Sequence, residues 1–199
     1  ILANGNIVGF DYLVRGGDRL AAYPRFHQWD SPTEYFLRPP LPQPPRFVLD
    51  VHLGRLAAYL RLLGFDTLYR NDYDDIELSA ISVAQQRILV TRDRRLLMRK
   101  EVVFGCCLHS RDPKQQLQVI LHRYDLLNTL APWQRCLRCN GPLAPVDKND
   151  IRHRLEPLSE RHYHEFHVCG DCEQVYWKGS HYGPLLAFVE SIRQWEELE

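Results

Sequence analysis

The chain has 199 residues, of which 45% are hydrophobic and 25% are charged, and its formal net charge at pH 7 is zero. This composition is typical of a globular protein with one sizeable core, or with a main domain of about 100 residues and smaller attachments. It excludes a chain that binds nucleic acid through overall positive charge. The longest apolar runs are only a few residues, which excludes a membrane-spanning helix.

The cysteines and the start of the chain indicate the compartment. No signal peptide is visible. The six cysteines include two Cys-x-x-Cys pairs, which in a chain without a secretory signal indicate metal binding in a reducing compartment rather than a disulfide framework. We therefore expect a cytoplasmic protein without a membrane partner. The chain begins at Ile1 rather than at Met, so we expect that the true N-terminus is missing.

Residues 1–30 have the pattern of short strands joined by turns. Asn4-Gly5 is a hairpin signal between two short apolar pairs, and Gly16-Gly17-Asp18 is a second turn before a strand-like segment. This pattern resembles the second half of a β-grasp, ubiquitin-like module of the kind found in small sulfur-carrier proteins. A sulfur carrier works through a free C-terminal Gly-Gly, which this sequence lacks, so we expect the segment to serve in packing or in docking a protein partner. The resemblance is carried by Ala3-Asn4-Gly5, by Val8 and by the run from Gly17 to Pro24.

Residues 31–45 form a proline-rich segment with six of the thirteen prolines of the chain. Such a density prevents both helix and sheet and favours an extended, semi-rigid linker. We therefore expect a domain boundary near Pro45. The six are Pro32, Pro39, Pro40, Pro42, Pro44 and Pro45.

From Arg46 onward, predicted strands and helices alternate. Alternation of this kind implies a mostly parallel sheet with helices on its faces. In the first helix, Leu53, Leu56, Ala57, Leu60 and Leu63 form one apolar face, and Gly64 is the expected stop. The strands are predicted at 47–49, 67–69, 87–91 and 102–108, and the first three helices at 52–64, about 75–86 and 94–100.

Three of the predicted helices have specific features. The pattern places Ile76, Ile81 and Ala84 on the inward side of the helix at 75–86. The sequence Asp112-Pro113-Lys114-Gln115 predicts an N-cap, a first-turn proline and a capping-box partner for the fourth helix. That helix has Leu117, Ile120, Leu121 and Tyr124 on one side. A final helix from about Pro184 has Leu185, Phe188, Val189, Ile192 and Trp195 on one side, which indicates packing.

Acidic residues follow two of the predicted strands. Asp50 ends the first strand, and Asp93 stands two residues after the third. Because parallel strands end at the same edge of a sheet, we expect these carboxylates to converge, with Asp75 reaching in from a helix start. Carboxylates held together suit Mg²⁺ or Mn²⁺, and such a site can activate water to attack a phosphodiester. Helix capping by the same acids is the alternative. Asp74 and Glu77 are supporting candidates.

This part of the chain resembles the Mut-seven C-terminal RNase domain, a PIN-like family of metal-dependent ribonucleases. The resemblance implies RNA as substrate and a cation held by Asp50, Asp75 and Asp93, with Glu77 close behind the middle acid. The fourth acid of many PIN nucleases has no match, since Arg94 and Arg95 follow Asp93. The segments that carry the resemblance run from Phe47 to Ala57, from Leu60 to Thr67 and from Ile88 to Leu97. The resemblance covers about residues 46 to 185.

Local basic charge also fits RNA. Basic side chains surround Asp93 and can hold a phosphate backbone, although a solvated helix face explains each of them equally well. Tyr176-Trp177 could stack a base or could simply pack inside the small domain. The candidate RNA contacts are Arg92, Arg94, Arg95, Arg99, Lys100, Lys178 and His181.

The two Cys-x-x-Cys pairs predict a structural zinc site. Cys136, Cys139, Cys169 and Cys172 supply four thiolates, which complete a tetrahedral shell and leave no position for water. The resemblance implies the same zinc ribbon. Cys106 and Cys107 lie in a predicted strand, and buried packing accounts for both.

These observations give an α/β chain with a PIN-like, mostly parallel sheet, a zinc ribbon and an N-terminal β-grasp-like segment. The first hypothesis is a metal-dependent ribonuclease. The alternatives are a non-catalytic RNA- or ribonucleoprotein-binding module with a structural zinc, and an adaptor that docks a protein through residues 1–30. The expected organisation is a ubiquitin-like segment at 1–30, a linker at 31–45, a nuclease domain at 46–131, a zinc ribbon at 132–183 and a helix at 184–199.

Overall fold

The computed structural model describes residues 1–9, 11–22 and 41–195. The chain divides into two compact units, Ile1–Leu41 and Pro42–Glu199. Three predictions lie partly outside the described residues: the end of the ubiquitin-like segment at 23–30, the linker at 31–40, and the end of the last helix at 196–199. Within the described ranges, no helix is long and apolar enough to cross a membrane.

The first unit contains a three-stranded antiparallel sheet. β1 (Leu2–Ala3) pairs with β2 (Asn6–Ile7) on one side and with β3 (Leu20–Ala21) on the other. Asn4 and Gly5 connect the first two strands with φ angles of 53° and 83°. Two successive positive φ angles are the signature of the tight hairpin turn that Asn-Gly favours. The predicted hairpin is therefore confirmed.

The second unit is built on a four-stranded parallel sheet, as predicted. Its strands are β4 (Phe47–Leu49), β5 (Thr67–Tyr69), β6 (Ile88–Thr91) and β7 (Gly105–Cys107), in the order β5-β4-β6-β7. Every residue of β4 and β6 is buried, as expected for apolar strands in the middle of a parallel sheet. β7 covers only three residues of the strand predicted at 102–108.

Helices pack on both faces of this sheet, which confirms the predicted architecture. They are α1 (Gly54–Leu62), α2 (Asp75–Ala84), α3 (Arg94–Leu97) and α4 (Pro113–Arg123). Side chains alternate along β4, so Phe47 contacts the ring of Tyr124 after α4, while Val48 packs against α2 and α3. The core on the α2 and α3 side contains Val48, Leu78, Leu89 and Leu96.

The inward face of α2 differs from the prediction. Ile76 is 68% exposed and Ala84 is also exposed, whereas Leu78 is fully buried and Ile81 is half-buried. The helix is rotated because Ser79 and Ser82 also face inward, where the Ser82 hydroxyl donates to the carbonyl of Arg87 at 2.8 Å. A search for apolar periodicity could not assign these serines to the core.

The cap of α4 also differs in one detail. Asp112 caps the helix, accepting from the backbone N–H of Lys114 at 2.8 Å, and Pro113 is its first residue, as predicted. Gln115 is not a capping-box partner. Its side chain instead accepts from the Ser110 hydroxyl, and the N–H of Asp112 donates to that same hydroxyl oxygen at 3.0 Å.

Residues 132–183, called the ribbon below, contain a small antiparallel sheet. β8 (Leu143–Val146), β9 (Phe166–Cys169) and β10 (Val175–Trp177) pair in the order β10-β9-β8. Two short helices, α5 (Lys148–Ile151) and α6 (Pro157–His162), connect β8 to β9. A separate core holds this layer together; it is formed by Ile151, Phe166 and Val175.

The last described helix is α7 (Tyr182–Arg193), which begins two residues before the predicted start. Val189 and Ile192 on it are buried, and Phe188 packs against Tyr59 of α1 with ring centroids 4.6 Å apart. The predicted packing stripe is therefore confirmed for these three residues.

Candidate functional site

The predicted acids lie at the carboxyl-terminal edge of the parallel sheet. Asp50 directly follows β4, and Asp93 stands two residues after β6. β4 and β6 are neighbours, and the next strand in sequence after β4 lies on its other side. Such a change of direction opens a crevice at the carboxyl ends of the strands, where α/β proteins bind their ligands.

Thr91, the last residue of β6, joins the two acids. It is fully buried, and its hydroxyl donates to Oδ2 of Asp50 at 2.6 Å. The same hydroxyl oxygen accepts from the backbone N–H of Asp93 at 2.9 Å. The N–H of Val51 donates to the other carboxylate oxygen of Asp50 at 2.6 Å. The sequence alone assigned no role to this threonine, because its partner Asp50 follows another strand.

Several of the acids also cap helices, as the alternative interpretation predicts. Asp74 caps α2, accepting from the N–H groups of Ile76 and Glu77 at 2.8 Å each, and the Glu77 carboxylate accepts from the N–H of Asp74 at 3.2 Å. Asp93 caps α3 through Oδ1, which accepts from the N–H of Arg95 at 2.8 Å. Each aspartate cap uses only one oxygen, so capping and cation binding are compatible.

The acids do not form a closed cluster. In the parts of the chain that the structure describes, only the four cysteines form a group of three or more His, Cys, Asp or Glu residues whose ligand atoms all lie within 4.8 Å of one another. Asp75 is the first residue of α2 and is exposed. The structure thus joins Asp50 to Asp93 through Thr91 but does not bring Asp75 into one such group with them.

Basic side chains surround the Asp93 end of this edge. Arg92, Arg94, Arg95 and Lys100 are exposed, and Arg99 forms a loose ion pair with Glu101 at 3.6 Å. On the ribbon, Lys178 is paired with Glu165 at 2.7 Å, and this hydrogen bond raises the pKa of the lysine. His181 is exposed at the start of α7. Their role as RNA contacts stays a prediction.

The four cysteines of the Cys-x-x-Cys pairs come together in the ribbon. Their Sγ atoms all lie within 4.8 Å of one another, with Cys136 3.6 Å from Cys172 and Cys139 3.3 Å from Cys169. A tetrahedral zinc ion with bonds of about 2.3 Å holds its sulfurs about 3.8 Å apart. The four cysteines could therefore hold a metal such as zinc.

Neighbouring groups favour the ionised form of one of these thiols. Burial opposes ionisation of Cys136, but the hydroxyl of Tyr176 at 3.1 Å and the N–H of Cys139 at 3.5 Å outweigh it and lower the pKa of Cys136 to about 7. Burial raises the pKa of Cys139. A zinc ion binds cysteine as the thiolate, so the lowered pKa of Cys136 and the convergence of the four Sγ atoms fit this metal.

The first cysteine pair is docked on the parallel sheet by a buried arginine. Arg61 of α1 is 4% exposed, and its guanidinium donates to the carbonyls of Leu137 and Arg138 at 3.0 Å each and to the carbonyl of Thr67 at 2.9 Å. The sequence signal was available: Arg61 stands four residues after Ala57, at the border of the apolar face of the helix. The role of Arg61 could not be predicted from the sequence, because the carbonyls of Leu137 and Arg138 are 76 and 77 residues away.

Asn140, directly after the first cysteine pair, completes this junction. Its side-chain oxygen accepts from the backbone N–H of Thr67 at 2.8 Å, and its side-chain NH₂ donates to Asp66 at 2.7 Å. Asp66 also forms an ion pair with the buried Arg87 at 2.7 Å. Asp66 and Arg87 directly precede β5 and β6, so the cysteine cluster is anchored at the amino-terminal edge of the sheet, opposite the acids.

This network makes the junction sensitive to acid. Burial raises the pKa of Asp66, but hydrogen bonds from Arg87 and Asn140 and the charges of Arg87 and Arg135 outweigh it and lower the pKa. The unfolded chain therefore binds a proton more readily at this carboxyl than the folded chain does. The resulting stabilisation is fully present above about pH 4 and is lost as the pH falls through the folded pKa.

Replacing Arg61 by methionine should destabilise the second unit by about 2–4 kcal/mol, because three backbone carbonyls at the junction lose the guanidinium as a donor. Arg55→Met is the matched control: Arg55 is exposed on the same helix, and its replacement should change stability by less than about 0.5 kcal/mol. Urea unfolding measures both variants. Equal stability of the two variants would show that Arg61 does not hold the junction.

Comparison with known proteins gives two matches to family models. The model described as Mut7-C RNAse domain matches residues 45–189, and the model described as Mut7-C ubiquitin matches residues 1–30. No curated protein and no solved structure gives a significant match to the chain.

Proposed function

This chain belongs to the Mut7-C RNase domain family, and we propose from this membership and from the sheet edge that it is a metal-dependent ribonuclease that hydrolyses RNA phosphodiester bonds. The family description indicates a nuclease-like role, and the ubiquitin-like segment indicates an interaction with a protein. The proposed organisation is a nuclease domain at 46–131, the ribbon at 132–183 and a helix at 184–199, preceded by the ubiquitin-like segment at 1–30 and the linker at 31–45.

One observation carries the proposal. Thr91 connects the carboxylate of Asp50 to the backbone of Asp93 across two neighbouring strands, at the point where the sheet changes direction. A threonine that is fully buried at a strand end and bonded to two acidic residues holds one carboxylate in a fixed orientation and fixes the backbone that carries the other. Oxygen ligands on such a framework suit Mg²⁺ or Mn²⁺.

In this proposal the acidic residues bind the cation and the basic residues bind the RNA. Asp50, Asp75 and Asp93 would hold the cation, with Asp74 and Glu77 in support. When bound, the cation would activate a water molecule and stabilise the charge on the leaving oxygen. Arg92, Arg94, Arg95, Arg99 and Lys100 would hold phosphates of the RNA next to Asp93, and Lys178 and His181 would contact the strand at the ribbon.

In the ribbon, we propose that Cys136, Cys139, Cys169 and Cys172 hold a structural zinc ion. Four thiolates fill a tetrahedral shell and leave no position for substrate. The anchor of this cluster at the amino-terminal edge of the sheet also separates it from the acids. A reducing compartment such as the cytoplasm keeps these thiols available for the metal.

The N-terminal unit offers a surface for a protein partner. Leu13, Val14 and Leu20 are 84%, 62% and 52% exposed. Exposed apolar side chains on a small ubiquitin-like unit support the proposal that this segment docks a protein.

A second candidate function is a non-catalytic RNA- or ribonucleoprotein-binding module. It is favoured by the capping roles of Asp74, Glu77 and Asp93 and by the open arrangement of the acids among the described residues. Incubation of the full chain with single-stranded RNA and Mn²⁺ separates the two candidates. Cleavage that requires the cation supports the nuclease, whereas binding without cleavage under Mg²⁺ or Mn²⁺ supports the binding module.

Thr91→Val should raise the Mn²⁺ concentration needed for half-maximal cleavage about tenfold or more, because the residue that orients Asp50 loses its hydroxyl without a change in shape. Thr91→Ser keeps the hydroxyl and should retain most of the wild-type Mn²⁺ dependence. Cleavage assays over a range of Mn²⁺ concentrations measure both variants. Equal Mn²⁺ dependence in the valine and serine variants would contradict the positioning role.

A further inference from the structure

A pocket of about 290 Å³ lies on the ribbon, away from the acidic edge of the sheet. It is called the ribbon pocket below. Arg138, from the first cysteine pair, and Arg154, at the end of a short helical turn, line it together with Trp177 at the end of β10. Its volume is close to the lower end of the range for small-ligand sites, about 300 Å³.

Both arginines keep donors available. Arg154 donates to the backbone carbonyl of Glu173, which holds its guanidinium at the pocket wall. Neither Arg154 nor Arg138 forms an ion pair with a residue in the described ranges. Two guanidinium groups that lack carboxylate partners there can donate to a phosphate.

Trp177 supplies an aromatic wall. Its ring lies 6.3 Å from that of Phe166 and 6.5 Å from that of Tyr163, measured between centroids, and these contacts hold the indole in place. The residue is nevertheless 38% exposed. A fixed and accessible indole is a platform on which any nucleic-acid base can stack.

The acidic groups of the pocket narrow the choice of ligand. Glu156 and Glu173 also line it, together with Cys172 of the cysteine cluster. A bare phosphate therefore gains little here. A ligand with a phosphate, hydroxyl donors and an aromatic ring matches all three kinds of lining side chain. Its phosphate can accept from the arginines, its hydroxyl groups can donate to the carboxylates, and its ring can stack on Trp177.

We propose that the ribbon pocket binds one nucleotide of single-stranded RNA. The base stacks on Trp177, the phosphate contacts Arg138 and Arg154, and the ribose 2′-hydroxyl donates to Glu156 or Glu173. The choice of RNA rests on the proposed function, but binding at this pocket does not require cleavage. The pocket would hold a strand whose other part lies at the acidic edge.

The test measures binding of a labelled oligouridylate of about eight nucleotides by fluorescence anisotropy. The full-length Asp93→Asn variant, loaded with zinc and without added Mn²⁺, serves as the parent protein. Adding Arg154→Gln should weaken binding about fivefold to tenfold and reduce the slope of log Kd against log salt concentration by about 0.7, as loss of one phosphate contact does. Trp177→Leu should weaken binding about tenfold while keeping the apolar packing.

Arg152→Gln is the matched control for Arg154→Gln. Arg152 lies in the same helical turn, is paired with Glu160 and does not line the pocket, so its replacement should leave binding and salt dependence unchanged. The deoxy form of the oligonucleotide should bind several-fold more weakly, because it lacks the 2′-hydroxyl. Inorganic phosphate should not compete. If Arg154→Gln loses zinc, Arg138→Gln replaces it.

Binding of the Arg154→Gln and Trp177→Leu variants with the affinity and salt slope of the parent would overturn the proposal. Equal losses in Arg152→Gln and Arg154→Gln would do the same. The pocket proposal and the nuclease proposal can fail separately. If the wild-type chain cleaves RNA but the pocket variants bind RNA as well as the parent, only the pocket proposal is contradicted. If the chain binds RNA through the pocket but never cleaves it, only the nuclease proposal is contradicted.

Discussion

Asp93→Asn should reduce Mn²⁺-dependent RNA cleavage by about 100-fold or more while leaving the fold intact. The reason is that the two carboxylate oxygens of Asp93 have different roles, one in capping α3 and one in binding the proposed cation. Oδ1 caps α3 through the N–H of Arg95, and an asparagine side-chain oxygen makes the same bond. The substitution therefore removes the negative charge and one oxygen ligand but keeps the cap, so any loss of activity reports on the cation rather than on folding.

Asp147→Asn is a close control for this experiment. Asp147 caps α5, which has four residues like α3, and it accepts from the N–H of Asn149 at 2.8 Å, the same distance as in the Asp93 cap. Because Asp147 is neither an acid of the proposed cation site nor one of the proposed RNA contacts, its replacement should leave cleavage unchanged. Both variants should unfold at the same urea concentration as the wild type. If the Asp93→Asn variant cleaves RNA at the wild-type rate at limiting Mn²⁺, Asp93 is not a ligand of the catalytic cation.

Cys169→Ser should release the zinc ion and destabilise the whole second unit. Cys169 is buried in the cluster, and three remaining thiolates bind zinc far more weakly than four. The loss extends beyond the ribbon, since the loop that carries the first cysteine pair also carries the partners of Arg61 and Thr67. We expect a loss of several kcal/mol, which corresponds to a fall in Tm of about 10 °C or more.

Cys107→Ser is the control for this change. Cys107 is a half-buried thiol in β7 that lies outside the cluster, so the same replacement of sulfur by oxygen should keep the zinc content and shift Tm by only a few degrees. Zinc is measured by a chelating dye after denaturation, and Tm by circular dichroism. A Cys169→Ser protein that keeps one zinc ion per chain and the wild-type Tm would show that the cluster does not hold the metal.

The fold could be predicted where local signals are sufficient. The strands predicted at 47–49 and 87–91 alternate with amphipathic helices, and this alternation indicated a parallel sheet whose apolar strands are buried on both faces. Asn4-Gly5 specified a hairpin because both residues accept positive φ angles. The spacing of the four cysteines likewise predicted their convergence, which the structure confirms.

The misses have a common physical cause, which is that polar residues are buried wherever a hydrogen-bond partner satisfies them. Ser82 faces the core because the carbonyl of Arg87 satisfies its hydroxyl, and this rotates α2 away from the predicted phase. Arg61 and Asn140 are bonded across the junction between ribbon and sheet. Thr91 links acids on two strands. Apolar periodicity contains no information about such pairs.

The separation of the two candidate sites is the main structural argument for their different roles. The loop that carries the first cysteine pair is bonded to Asp66 and Thr67 at the start of β5, whereas Asp50 and Asp93 follow the ends of β4 and β6. With the proposed zinc ion at one edge of the sheet and the proposed catalytic ion at the other, the catalytic ion can be lost while the zinc ion stays bound. Removal of Mn²⁺ should thus stop cleavage without unfolding the chain, whereas removal of zinc should do both.

The most direct test is the anomalous scattering of manganese in crystals of the full chain soaked in Mn²⁺. We expect a peak at the carboxyl-terminal edge of the sheet, about 2.2 Å from carboxylate oxygens of Asp50 and Asp93, with Asp75 joining through a small movement or a bridging water. A peak is not expected at that edge in the Asp93→Asn variant. A soaked wild-type crystal with no manganese at Asp50 and Asp93, from a protein that cleaves RNA in Mn²⁺, would place the catalytic site elsewhere and contradict this account.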